Sequence, residues 1–253
     1  MALFKRVLAD AADVGLLVLV ILFLYGLFYA FGSVLSSVQS AYVLTILSSS
    51  NPILSMRPAF YDALSSLSDP LTLLSMLIYG ILLTYLSLVV IGWIGKKRIG
   101  YPENPFKRAV EAIIPFIILG IVVFAPILLL FSLMLYFSSN VTLLVTFFVL
   151  FLVFLLVYVP IVSPSMVSLV LDADSVSKAL RNGVLVGRRR WIRILIYMFG
   201  VAVVTSLFLY LFNAIAMYFP PLSDFLLVLY QAISFVLPLA VLTEVYVADT
   251  YGE

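Results

Sequence analysis

Residues 141–162 read VTLLVTFFVLFLVFLLVYVPIV, twenty-two residues without a charge. A helix needs about 20 apolar residues to cross the hydrocarbon core of a bilayer. Inside that core each backbone amide must be satisfied, which leaves only helices and closed barrels. A run this long, rich in Leu, Phe and Val, predicts a transmembrane helix rather than a barrel strand. Five more runs of the same kind lie on either side, at 14–32, 70–94, 112–137, 192–219 and 224–247. The breaks Ser138-Ser139-Asn140 and Pro220-Pro221-Leu222 are short, so spans three/four and five/six form antiparallel hairpins. Capping residues stand where helices should begin, at Asp69-Pro70, Asn140 and Ser223-Asp224. The expected fold is all-α, a single transmembrane domain over 1–253 built as a polytopic bundle of six transmembrane helices.

Composition points the same way. Hydrophobic residues make up 65% of the 253 and charged ones 10%, with a mean hydropathy of +1.25. A soluble domain is roughly 45–50% apolar and about 25% charged. A soluble enzyme, a disordered chain and a disulfide scaffold are thereby excluded. With no Cys and no His, so are cysteine or histidine catalysis, thiolate redox and the usual zinc sites. There is no Gly-rich phosphate loop and no carboxylate pair within an apolar pocket, so no catalytic residue, cofactor or metal is expected. The lack of thermolabile Cys fits a thermophile.

Orientation follows from the basic residues. With the N-terminus in the cytoplasm, the inner side holds Lys5 and Arg6, then Lys96, Lys97, Arg98, Lys107 and Arg108, then Lys178, Arg181, Arg188, Arg189, Arg190 and Arg193. Only Arg57 of the fourteen basic residues falls outside. The chain is therefore expected in the cell membrane as a multi-pass protein, N-in and C-in. Asp10 and Asp13 interrupt the approach to the first span, and the run is longer than a signal-peptide core, so this span is expected to be retained.

Each hairpin is entered through a basic amphipathic stretch, at 4–10, 106–111 and 177–181. The longest cytoplasmic loop, 163–191, carries most information. Asp174 or Ser175 can cap a helix in which Val176, Ala179, Leu180, Gly183 and Val184 share one face. This predicts an interfacial amphipathic helix between spans four and five, ending near Gly187. Arg188, Arg189, Arg190 and Arg193 then surround Trp191, a cluster suited to anionic lipid headgroups at about 1 kcal/mol per basic residue. Lys96, Lys97 and Arg98 form a second basic group on the same side. The outer loop 33–69 contains eleven serines and only Arg57, Asp62 and Asp69 as charges. Helical spacing from Val34 to Thr45 extends the first helix beyond the membrane, and the apolar segment 59–67 is expected to fold back over the outer ends of the spans.

Intramembrane ionisable residues would mark a transport path, and almost none occur. Glu244 falls at the inner interface, where it is expected to pair with a loop cation. Asn213 and Gln231 lie at similar depth on facing spans and are expected to form an interhelical polar pair. Pro126 and Pro238 should kink their helices. Asp172 and Asp174 are read as helix-capping residues, and Asn140-Val141-Thr142 is too close to the membrane to act as a glycosylation acceptor.

Val159-Pro160-Ile161-Val162, the loop Ala179-Leu180-Arg181-Asn182-Gly183, Trp191 at the entry to span five and the closing 239–250 stretch form a recognisable series. It resembles the six-helix membrane domain found with glycerophosphoryl diester phosphodiesterases, and related, largely uncharacterised prokaryotic integral membrane proteins. Ser163-Pro164-Ser165 stands where that family commonly has an acidic residue. These 253 residues hold no soluble phosphodiesterase domain, so the resemblance implies a membrane module and not an esterase. Ala179 and Gly183 also match two small positions of the ATPase-docking helix of importer permeases. The expectation is a non-enzymatic integral membrane module that scaffolds, assists or regulates a membrane complex, or organises lipids. The alternative is a transport component, either a permease subunit or a small facilitator. Expected partners are membrane lipids with anionic headgroups and a protein partner or second copy, with no nucleic acid.

Overall fold

A computed structural model describes residues 2–47, 70–100, 102–136, 141–172 and 175–252. They form α1 (Ala2–Ala11), α2 (Val14–Leu47), α3 (Pro70–Ile99), α4 (Pro105–Tyr136), α5 (Val141–Val162), α6 (Pro164–Leu171), α7 (Val176–Tyr218) and α8 (Ser223–Thr250). A 3₁₀ turn, Pro220–Leu222, joins the last two, and no strand occurs among the described residues. Six helices, α2 to α5 with α7 and α8, are long and apolar enough to cross a membrane. This is the architecture of a multi-pass membrane protein.

The ends of these helices follow from local chemistry. Asp13 Oδ1 accepts from the Leu16 N–H at 3.1 Å and caps α2. Gly100 ends α3 with φ at +65°, a left-handed position that a Cβ would strain. Asn104 Oδ1 accepts from the Phe106 N–H at 3.0 Å, and Pro105 opens α4, where its missing N–H would be unpaired in any case. Ser175 caps α7 by accepting from the Lys178 N–H at 3.4 Å. Asp69, Asn140 and Asp174, together with Arg57 and the segment 59–67, lie outside the described residues.

Several boundaries differ from the sequence reading. The helix expected to stop near Gly187 continues, and α7 is one helix of 43 residues. At about 1.5 Å per residue it is roughly 65 Å long, about twice the hydrocarbon thickness. Glycine stops a helix only where the backbone turns left-handed, and Gly187 remains helical. Its small size serves contact instead. A Cβ at Gly183 would strike the backbone of Ser165, and one at Gly187 would strike the Ile161 carbonyl. The Gly183-x-x-x-Gly187 pattern thus lets α7 lie directly on the α5–α6 corner, the close approach that small residues permit. Likewise α4 starts at Pro105 rather than near residue 112, because the Asn104-Pro105 cap absorbs the basic lead-in into the helix.

The chain divides into two compact units. The first comprises Met1–Gly26, Thr84–Leu119 and Val157–Glu253. Its core includes Leu88 and Ile91 of α3, Val167 of α6, Ala179 and Ile194 of α7, and Ala240 and Tyr246 of α8. The second comprises Leu27–Leu83 and Gly120–Leu156. Among its described residues it buries Leu27, Met134 and Leu144, and pairs Phe31 with Tyr79 and Phe131 with Phe151 at centroid separations of 6.0 and 6.1 Å. Leu128, Leu129, Phe148, Leu150 and Val153 of this unit are exposed, as a surface that meets lipid should be.

Candidate functional site

Every basic side chain among the described residues belongs to the first unit. The structure sorts these cations into those held by carboxylates and those left open. Arg98, in the last turn of α3, is held most firmly. Its Nε donates to Asp10 Oδ2 at 3.1 Å, its Nη2 lies 2.8 Å from Asp10 Oδ1, and Nη2 also donates to the Arg6 carbonyl at 3.0 Å. The same guanidinium forms an ion pair with Glu244 of α8. Asp10 and Glu244 are each only 1% exposed. Two buried carboxylates around one guanidinium bind α1, α3 and α8 together, and a buried charge of this kind persists only when it is paired. The expected cationic partner of Glu244 therefore exists, but on a helix rather than a loop, because α3 runs on to Ile99.

Lys97 is shared between Asp13, at 3.1 Å, and Asp10, at 3.7 Å. Burial pushes the Asp13 carboxyl upward, but the Leu16 N–H and the Lys97 ammonium outweigh it and hold the pKa below its ordinary value. Arg190 donates to Asp249 at 2.7 Å, with Arg189 at 3.7 Å from the same carboxylate. Arg108 donates to the Val170 and Leu169 carbonyls at 3.2 and 3.3 Å and so satisfies the C-terminus of α6.

Asp172 corrects the capping expectation. It follows the end of α6, where carbonyls rather than N–H groups are unsatisfied, so its carboxylate has no helix N–H to accept there. It accepts instead from the Tyr246 hydroxyl at 2.5 Å and from that of Tyr251, which ties down the end of α8.

What remains open is smaller than the sequence predicted. Of the seven basic residues singled out, Arg98, Lys97 and Arg190 are taken up by carboxylates. Arg188, Arg193 and Lys96 are exposed and have no ion-pair partner among the described residues. Arg188, Arg189, Arg190, Trp191, Arg193 and Tyr197 border one cavity of about 460 Å³ on α7. Lys96 belongs elsewhere, to a cavity of about 510 Å³ lined with Lys97, Asp13, Trp93, Asn104 and Phe106. Asn213 is exposed and lines a third cavity of about 190 Å³ with Tyr230 and Asp224. Gln231 is half-buried, and among the described residues no hydrogen bond joins it to Asn213.

Several hydroxyls within the spans bond to their own helices. Thr146, Ser206 and Thr243 donate to the carbonyls of Thr142, Ala202 and Leu239 at 2.7–2.8 Å. No cluster of acidic residues suited to a metal ion occurs among the described residues. The roles of Asp10 and Asp249 were not read from the sequence. The available signal was scarcity, since a lone carboxylate beside an apolar run must find a cation. No protein-family model, curated protein or solved structure matches the chain.

Proposed function

We propose that this protein is a non-enzymatic integral membrane module of the cell membrane, with both termini cytoplasmic, that organises anionic lipids and scaffolds or assists a membrane complex through its basic face. One observation carries the reading. Arg188 and Arg193 stand exposed around an open cavity beside Trp191 and Tyr197, without carboxylate partners among the described residues, while neighbouring cations are neutralised inside the protein. Cations without a carboxylate partner are available to phosphate-bearing headgroups. An aromatic anchor with unpaired arginines at a membrane interface offers phosphate-bearing headgroups both charge and a seat. The asymmetry of the basic residues supports the N-in, C-in orientation, and the resemblance to the membrane domain that accompanies glycerophosphoryl diester phosphodiesterases supports a module without catalysis of its own.

A permease subunit docking an ATPase through Ala179 and Gly183 finds less support. Both residues are buried, and Gly183 lies against the Ser165 backbone of its own chain. The test is purification in native nanodiscs, with mass spectrometry of the retained proteins and lipids, for the parent chain and for Arg188→Gln/Arg193→Gln. At about 1 kcal/mol per basic residue, the double variant should hold anionic lipid roughly thirtyfold less tightly. Equal retention of lipids and proteins by parent and variant would overturn the reading.

A further inference from the structure

We propose that the N-terminal part of α7 docks an acidic helix of a partner protein along Lys178, Arg181, Leu185 and Arg188. Docking here deepens the scaffolding role proposed above and rests on its placement of this side in the cytoplasm. It does not depend on lipid held at Arg193. All four side chains are exposed, at intervals of three, four and three residues. At about 100° per residue these intervals keep them on one face of the helix. Ala179, Gly183, Val186 and Gly187 are buried on the opposite face, where the two glycines meet the α5–α6 corner. Arg181 and Arg188 have no ion-pair partner among the described residues.

The length of α7 decides between a lipid and a protein. Tyr218 and Trp191 lie about 40 Å apart along its axis. A bilayer with its headgroups is about 40–45 Å thick, and such aromatic residues settle at its two interfaces. The exposed face changes character at the same level. From Trp191 toward Tyr218 it carries Ile192, Ile196 and Phe199, all exposed. On the other side of Trp191 it carries the basic stripe. Leu185 and Arg181 thus stand about 9 and 15 Å beyond the tryptophan. A helix tilt of about 20° shortens the longer distance by only about 1 Å. Attraction to anionic headgroups fades within a Debye length, about 8–10 Å, so Arg181 is out of reach of the lipid surface.

Charge and spacing then select the occupant. Exposed arginines without carboxylates of their own attract an acidic surface and steer its approach. Intervals of three and four residues are those at which one helix meets another. Leu185 is 45% exposed at the centre of the stripe. A leucine gains nothing from a phosphate backbone but packs against an apolar side chain. The partner that fits is an amphipathic helix, with Asp or Glu one turn to either side of an apolar residue that meets Leu185.

The test places a photo-crosslinker at the centre of the stripe. Leu185→p-benzoylphenylalanine, in the full chain within its native cells, would be irradiated and the adducts sequenced by mass spectrometry. We expect cross-links to one other protein, at an apolar residue flanked by Asp or Glu at helical spacing. Adding Arg181→Glu should reduce the adduct about tenfold, and a reversed charge in the partner, Asp→Lys or Glu→Lys, should restore it. Both substituted positions are exposed, so the fold is unaffected, and rescue by the partner would not occur in a misfolded chain. An adduct with lipid, with a second copy of this chain or with a segment lacking acidic residues would overturn the proposal. So would the absence of any adduct, or one unchanged by Arg181→Glu. Lipid retention separates this docking from the lipid binding proposed above. Arg181→Glu should hold anionic lipid as the parent does, and a loss would assign Arg181 to headgroups and overturn the docking surface. If Arg188→Gln/Arg193→Gln kept parental lipid while the Leu185 adduct persisted, lipid binding would fail and docking would stand.

Discussion

The two compact units solve the problem of cohesion in opposite ways. The unit built from Met1–Gly26, Thr84–Leu119 and Val157–Glu253 holds all the described charges, and its carboxylates Asp10, Asp13, Asp249 and Glu244 are engaged by Arg98, Lys97 and Arg190. The unit of Leu27–Leu83 and Gly120–Leu156 has no charge among its described residues and relies on Leu, Phe and Tyr contacts. In lipid there is no hydrophobic force between helices, because the tails are as apolar as leucine; association rests on packing and on interhelical polar contacts. The charged unit possesses both, through the Arg98 cluster and the Gly183–Gly187 seam. The apolar unit has no charged contact among its described residues. Specific geometry should therefore be held by the first, while the second tolerates change.

Five substitutions test that contrast. Arg98→Leu should be the most damaging, since it leaves Asp10 and Glu244 buried without their guanidinium. A loss of about 3–5 kcal/mol is expected, read as a lowered unfolding midpoint in bicelles. Asp10→Asn added to Arg98→Leu should restore part of it by removing one uncompensated carboxylate. Gly187→Leu should follow, at about 1–3 kcal/mol from overpacking, because the new side chain points into the Ile161 backbone. An unfolding midpoint equal to that of the parent would show that the seam contributes nothing.

The Asp13–Lys97 pair is partly exposed, with side-chain accessibilities of 22% and 41%, and screening reduces its value to about 0.2–1 kcal/mol. Its pH dependence has a definite sign. The folded carboxyl titrates below its ordinary value of 3.8, so its stabilisation is present above that value and is lost as pH falls through the lower folded pKa. Asp13→Asn should flatten this acid limb of the stability curve. Smallest of all, Leu150→Ala in the apolar unit should change stability by no more than about 0.5 kcal/mol, since Leu150 is exposed. A larger loss there than at Gly187 would reverse the ranking of the two units.

Much of the fold was legible because bilayer spans are written in consecutive residues. The run 141–162 became α5 without shift, and Ser175 capped α7 as its chemistry predicted. The site was less legible. Arg188 and Arg193 are exposed without an ion-pair partner among the described residues, but Arg98 and Arg190 looked identical to them in sequence. Whether an arginine is free depends on a carboxylate 59 to 146 positions away, as with Arg190–Asp249 and Arg98–Glu244. Gly187 posed the same difficulty, since a stop signal and a contact surface use the same residue.

Local and one-dimensional properties were thus determined by the sequence alone: six apolar spans, the clustering of basic residues in a few short segments, and the start of α7 at Ser175. Hydropathy and hydrogen-bond satisfaction act within a segment, so they can be read along it. Tertiary structure alone decided which charges neutralise each other, which glycines permit close approach, and that Trp93, Lys96 and Phe106 share a cavity with Asp13. Those outcomes depend on distances between segments remote in the chain, and no periodicity within a segment encodes them.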